Sequence, residues 1–300
     1  MNVIECNQLS KAYGKFDALN LLSFRIEENK ITGLIGRNGA GKTTLLKIIA
    51  GYLKKSSGEL RVFSEDPFNN LKLSANTIFV DDDMNFPPAL TIRQLLQAAG
   101  TFYQNWDMDL ALRLFDYFEF NPNQKHDNLS KGKRSTFNMI VGLAARCPIT
   151  IFDEPTTGMD AAVRKDFYRA LLKDYLAHPR TIILSSHLLN EMVEILEDIL
   201  LIKNGEKYFQ MSIADVKEFA IGISGQKQIV NEWITGKEIL YKKSYTLGNT
   251  YVVVRNDLSE AELESAKRKG LEISPVAADD LCIYLTGDTK GGIDDVFDRG

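Results

Sequence analysis

Along the chain, short apolar runs recur, and each gives way to turn-forming or polar residues: ITGLIG (31–36), NTIFV (76–80), ITIFD (149–153), TIILSS (181–186) and DILLIKNG (198–205). Runs of this length, rich in Ile and Leu and separated by helical spacing, predict strands buried on both faces of a parallel sheet. The stretches NVIECNQL, LLSFRIEE and GELRVF alternate instead, which predicts half-exposed antiparallel strands in a side sheet. Between about 84 and 148 the strand signals vanish, and TIRQLLQAAGTFYQNW, MDLALRLFDYFEF and KGKRSTFNMIVGLAAR carry helical spacing. In the last of these Phe137, Ile140, Val141 and Ala144 recur at i, i+3, i+4 and i+7 and predict one buried helix face. The expected class is α/β, a parallel-sheet core with an antiparallel side sheet and a helical insert.

The pattern changes again after NGEKYF, where GNTYVVVRND alternates and LSEAELESAKRKG reads as a helix. A boundary near 212 follows, with a main domain over 1–211, a small α+β module over 212–288, and a polar tail over 289–300 that reads as disordered.

Composition narrows the function. A formal net charge of −4 excludes a broad basic surface for nucleic acid, so any phosphate chemistry is local. Cys6, Cys147 and Cys282 are widely spaced and odd in number, which argues for buried thiols rather than disulfides or a metal site. The start, MNVIECNQLS, does not read as a signal peptide, and no apolar run reaches the ~18 residues of a membrane span.

Chemistry concentrates in a few short segments. GRNGAGKTT (36–44) fits G-x-x-x-x-G-K-[ST] between an expected strand and helix, the context of a phosphate-binding loop. Gly36, Gly39 and Gly41 let the backbone curl, so that amides along Asn38–Thr44, including that of Ala40, face a phosphate at a helix N-terminus. Lys42 then reaches the β- and γ-phosphates, and the Thr43 hydroxyl reaches Mg²⁺, with Thr44 beside it. ITIFDEP ends a strand with two carboxylates: Asp153 suits the metal, and Glu154 suits a general base acting on water. His187, at the end of TIILSSH, suits hydrogen bonding to the γ-phosphate or holding the attacking water; alone, such a histidine is more often structural. LSKGKRS (129–135) places Lys131, Lys133 and Arg134 at a helix start, where cations are unfavourable unless an anion visits.

In this order, GRNGAGKTT, LSKGKRS, IFDEPTTGMD and SSH resemble the motifs of ATP-binding subunits of ABC transporters, over roughly residues 1–210. The resemblance implies a P-loop ATPase of ABC type that binds ATP and Mg²⁺ and dimerises head to tail, as a homodimer or with a related chain. It implies that Tyr13 stacks on adenine. It implies further that Ser130 and Gly132 meet the γ-phosphate held by the partner, and that Asp160 crosses the interface. Lys131 and Lys133 stand where the family has glycine and glutamine, either near that phosphate or turned outward to solvent. Asp82 falls where the family carries a Mg²⁺-contacting glutamine, with Asp81 and Asp83 leaving the register open by one residue. The implied partner is an integral-membrane permease at the cytoplasmic face of a bacterial membrane, docking near Phe86 and the helical insert, and no nucleic acid. The C-terminal SPVAADDLCIYLTG resembles the end of ABC-2 export subunits of the YtrB group. The implied activity is ATP hydrolysis coupled to export. The alternative is an ATP-gated regulatory dimer that hydrolyses slowly.

Overall fold

In the computed structural model, which describes residues 1–187, 189–245 and 248–287, the chain divides into two units, Met1–Gln210 and Met211–Gly300. The first opens with β1 (Asn2–Tyr13) and β2 (Phe16–Glu27), joined by a tight turn at Gly14 and followed by β3 (Ile31–Ile35), α1 (Lys42–Ile49) and β4 (Ser57–Val62). Next come α2 (Leu71–Ala75), β5 (Thr77–Val80), α3 (Ile92–Phe102), α4 (Met108–Tyr117) and α5 (Lys131–Ala145). The unit closes with β6 (Ile149–Asp153), α6 (Ala161–Ala177), β7 (Thr181–Ser186), β8 (Asp198–Lys203) and β9 (Glu206–Ser212), whose last residues run into the second unit.

Two sheets result. The core sheet has the order β5-β6-β7-β3-β8-β9, with parallel pairing from β5 through β8, and β3, β5, β6 and β7 are buried at every position. The apolar runs that carry no alternation are the ones this sheet buries on both faces. The side sheet, β2-β1-β4, is antiparallel. Between the two sheets, α1 presents Leu45, Leu46, Ile48 and Ile49 to a core shared with Ile4, Leu22, Phe24, Ile151 and Ile183.

The helical insert packs against the sheet through α5. The sequence predicted one buried face for this helix, but every residue from Ser135 to Ala145 is buried, because α5 lies among α3, α4, α6, β5 and β6. Gly142 permits the approach: a Cβ there would stand 2.7 Å from the Phe152 ring. At its C-terminus Arg146 adopts φ +43° and pairs with Asp107 at 2.9 Å and Asp174 at 2.8 Å, which ties α4 and α6 to the same helix end. All three cysteines are free and buried.

The second unit contains α7 (Ile213–Glu218), β10 (Ala220–Gln226), α8 (Lys227–Trp233), β11 (Ile239–Ser244), β12 (Asn249–Arg255), α9 (Glu260–Arg268), β13 (Glu272–Pro275) and α10 (Ala278–Thr286). Its strands form an antiparallel sheet in the order β11-β12-β10-β13. From β10 to β13 this is a β-α-β-β-α-β ferredoxin-like unit. Val230 and Trp233 of α8 and Ala266 of α9 pack on Ile223, Val252 and Val254 of the sheet. The tail over 289–300 lies outside the described residues.

Candidate active site

The C-terminal ends of β3, β6 and β7 stand side by side in the core sheet, and the site residues emerge from them. Ligands of open parallel sheets bind at such ends. The loop after β3 is shaped by glycine at two points: Gly39 and Gly41 have φ of +83° and +101°, and a Cβ on Gly41 would meet the Ala18 carbonyl at 2.5 Å. Gly41 is the N-cap of α1 and supplies no side chain to the first turn. Those amides are therefore left to an external acceptor. Gly205, in the turn after β8, donates its amide to the Ala40 carbonyl at 3.1 Å and braces the loop from behind.

Lys42 is buried, and its Nζ donates to the Gly36 carbonyl at 2.8 Å and lies 3.2 Å from Glu154 Oε1. Asp153, also buried, ends β6 and accepts a hydrogen bond from Ser185 Oγ through Oδ1. The same Ser185 oxygen accepts from the Glu154 amide at 2.9 Å, so β7 fixes both members of the carboxylate pair. Glu154 itself has φ +49°, a left-handed conformation that costs a non-glycine residue about 1–3 kcal/mol. This turn swings its side chain away from that of Asp153. Its Oε2 lies 2.7 Å from His187 Nδ1, while Oε1 is buried without a hydrogen-bond donor in good geometry despite the nearby Lys42.

A cleft of about 550 Å³ collects Tyr13, Asn38, Gly39, Gly41, Lys42, Thr43, Thr44, Glu154 and His187. Gly36 and Ala40 sit within the loop that shapes it, and Asp153 is not among its lining residues. Tyr13 is half exposed, with Lys11 Nζ 5.0 Å from its ring centroid. Phe16, Ala18 and Thr157 also line the cleft and were missed by sequence reasoning. Only Phe16 carried a usable signal, a second aromatic just past the glycine turn. It pairs with Tyr13 across the hairpin and is 62% exposed, so two rings stand at the mouth.

Several expected residues lie elsewhere. Asp82 is absent from the cleft lining, and its carboxylate is taken up by α5: Oδ1 accepts from Ser135 Oγ at 3.2 Å, and Oδ2 pairs with Lys131 at 3.2 Å. Val80 pairs with Phe152, so Asp81 is the residue that leaves β5 alongside Asp153; burial pushes its carboxyl up, and the Lys47 ammonium 3.7 Å away opposes that.

Ser130 caps α5 by accepting from the Lys133 amide at 3.4 Å, and Asp160 caps α6 by accepting from the Ala162 and Val163 amides at 2.9 Å each. The cations at the start of α5 each have a local partner. Lys131 has Asp82; Lys133 donates to the Phe118 carbonyl and sits 4.9 Å over the Phe120 ring; Arg134 donates to the Asp127 carbonyl at 3.2 Å. Lys133 is thus exposed yet anchored at its ammonium by a backbone carbonyl and a ring. Phe86 packs edge-on against His126 and Phe137, with centroids at 4.7 and 5.7 Å, and so belongs to the insert's own aromatic cluster.

Magnesium suits the donors present. Thr43 offers a hydroxyl in the cleft lining and Asp153 a buried carboxylate at the end of β6, both hard oxygens. Among the described residues no cluster of three or more His, Cys, Asp or Glu forms a metal cage. A magnesium site here would therefore be completed by phosphate oxygens and water.

Comparison with known proteins follows the same lines. The family described as "ABC transporter" matches residues 19–157. The ABC transporter ATP-binding protein YtrB of Bacillus subtilis is 29% identical over 74% of this chain and 76% of its own length. The SkfA peptide export ATP-binding protein SkfE of the same organism is 25% identical over 78% of this chain and 99% of its own. The zinc uptake system ATP-binding protein ZurA of Listeria innocua is 32% identical over 62% of this chain and 76% of its own. Among solved structures, an ATP-binding subunit of an ABC transporter superposes with a TM-score of 0.65 at 20% identity, over 72% of this chain and 92% of that one. At that identity the likeness is one of fold.

Proposed function

The chain belongs to the ATP-binding proteins of ABC transporters, and from that premise we propose that two chains close head to tail around two Mg·ATP to drive a separate permease that exports its cargo. Membership makes the chain an ATP-binding transporter subunit and an ATPase. The pairing, the metal, the permease contact and the outward direction are the further reading. The observation that carries it is the single cleft in which Tyr13, the phosphate loop, Glu154 and His187 converge.

The roles follow from the contacts. Lys42 leaves Glu154 for the β- and γ-phosphates, which frees the carboxylate to accept a proton from water. Because a carboxylate only accepts, the hydrogen bond between His187 and Glu154 places a proton on Nδ1 and leaves Nε2 for the γ-phosphate or the attacking water. Thr43 and Asp153 would hold the magnesium ion, which supplies charge neutralisation on the β- and γ-phosphates. Asp82, whose oxygens meet Ser135 and Lys131, would contribute to the metal set through a bridging water. Ser130 and Gly132 would meet the partner's γ-phosphate at the start of α5, and Asp160 would face the partner from the start of α6.

The export direction is supported by the names of relatives such as the SkfA peptide exporter's subunit, with the zinc uptake subunit as the counterexample. Among the described residues no helix is long and apolar enough to cross a membrane. Attachment to the cytoplasmic face of a bacterial membrane would therefore run through the permease. Tagged Glu154→Gln protein, purified with Mg·ATP from detergent-solubilised native membranes, tests this reading. A polytopic membrane protein in the pull supports it, and recovery of soluble partners or the chain alone counts against it.

A further inference from the structure

Ser135, the last residue of LSKGKRS and one turn into α5, is 4% exposed and was given no role from the sequence. Its Oγ has three acceptors within reach: the Thr157 carbonyl at 2.9 Å, the Lys131 carbonyl at 3.1 Å and Asp82 Oδ1 at 3.2 Å. A serine hydroxyl carries one proton, so these acceptors compete for it. Thr157 leads directly to the reacting centre, since its amide and its Oγ1 both donate to the Glu154 carbonyl, at 3.2 and 2.8 Å. Asp82 leads the other way, to Lys131 Nζ at 3.2 Å, and Lys131 is the first residue of α5.

Which acceptor wins depends on the charge left on Asp82. Paired with Lys131, the carboxylate is partly neutralised, and the shortest contact of Ser135 is the Thr157 carbonyl. Without its cation, Asp82 becomes the stronger acceptor, because hydrogen bonds to an ionised group are roughly twice as strong as neutral ones. Turning the hydroxyl to Asp82 removes the Ser135 hydrogen bond that links α5 to the 154–158 turn.

We propose that Ser135 is a positioning residue for Glu154 and that the Asp82–Lys131 pair switches it. An anion arriving at the N-terminus of α5 draws Lys131 off Asp82, Asp82 takes the Ser135 proton, and the turn that holds Glu154 in its left-handed conformation is released. The anion rests on the head-to-tail reading, in which it is the partner's γ-phosphate. The relay itself is a property of one chain.

Hydrogen exchange of the amides of Thr157, Gly158 and Met159, read on the full chain without nucleotide, tests the relay independently of turnover. Lys131→Met keeps the aliphatic stem but leaves Asp82 unpaired, and exchange there is expected to rise about three- to tenfold, the worth of one hydrogen bond. In Asp82→Asn/Lys131→Met the charged competitor is gone, so protection is expected to return to the wild-type level, a rescue that a merely structural role for Lys131 would not give. Wild-type protein without ATP turnover would remove the proposed function while leaving the exchange pattern to decide on the relay. Exchange unaltered by Lys131→Met, or a double variant exchanging as fast as the single one, would overturn the proposal.

Discussion

His187 Nδ1 lies 2.7 Å from Glu154 Oε2, and this contact joins the ends of two neighbouring parallel strands. Asp153 pairs with Ser185 in the register of β6 and β7, so Glu154 and His187 leave the sheet almost level. With Lys42 3.2 Å from the other oxygen, the carboxylate is gripped on both sides. Removing the imidazole frees Glu154 to rotate and takes away the Nε2 contact to the γ-phosphate or the attacking water. His187→Ala is expected to cut kcat by about 10²–10⁴ while ATP still binds, read by phosphate release beside nucleotide binding.

Tyr13 stands half exposed at the mouth of the cleft with Lys11 on its ring. Base stacking is worth roughly 1–3 kcal/mol per aromatic side chain. Tyr13→Ala is expected to weaken ATP binding by that amount, and Tyr13→Phe to leave it unchanged, since stacking needs the ring and not the hydroxyl. Equilibrium titration with a fluorescent ATP analogue reads the difference.

Gly132 permits a close approach that no other residue can make. A Cβ there would lie 2.5 Å from the Gly158 carbonyl oxygen, a backbone atom with no rotamer to escape into. Gly132→Ala is expected to destabilise the protein by about 1–3 kcal/mol, as overpacking does, and urea unfolding measures it.

His126 is buried beneath Phe86 and Phe137, with Asn138 Oδ1 2.8 Å from Nε2. Burial holds its pKa below 6.5, with Arg134 adding to the effect, while the Asn138 contact and Asp127 work against it. The unfolded chain therefore binds a proton near pH 6.5 that the folded chain refuses. The resulting stability is fully present above that pH and is lost as pH falls from about 6.5 through the lower folded value. Urea midpoints between pH 7.5 and 5 are expected to fall more steeply for the wild type than for His126→Gln.

The strands that lead to Lys42, Asp153 and His187 were legible because their apolar runs are too short for a helix and are bounded by turn-forming or polar residues. The phosphate loop was legible because glycine at 36, 39 and 41 answers a backbone need visible in one sequence. Long-range partners were not. Lys131 and Lys133 read as unpaired cations because Asp82 and Phe118 are far away in the chain, and only the packing of α5 brings them together. The three consecutive aspartates after β5 could not be ranked from sequence, since the register of β5 against β6 decides that Asp81 lies beside Asp153. For α5, a one-sided apolar pattern gave no warning of burial on all sides, because Ser135, Thr136, Asn138 and Gly142 interrupt Met139 and Leu143 on the remaining faces.

The most direct test of the account is steady-state phosphate release from Mg·ATP by the wild type and by Glu154→Gln, with ATP binding measured on both. Turnover in the wild type that falls by two orders of magnitude or more in Glu154→Gln, with binding retained, is the expected result. Equal turnover in the two proteins would contradict the assignment of Glu154 as the base.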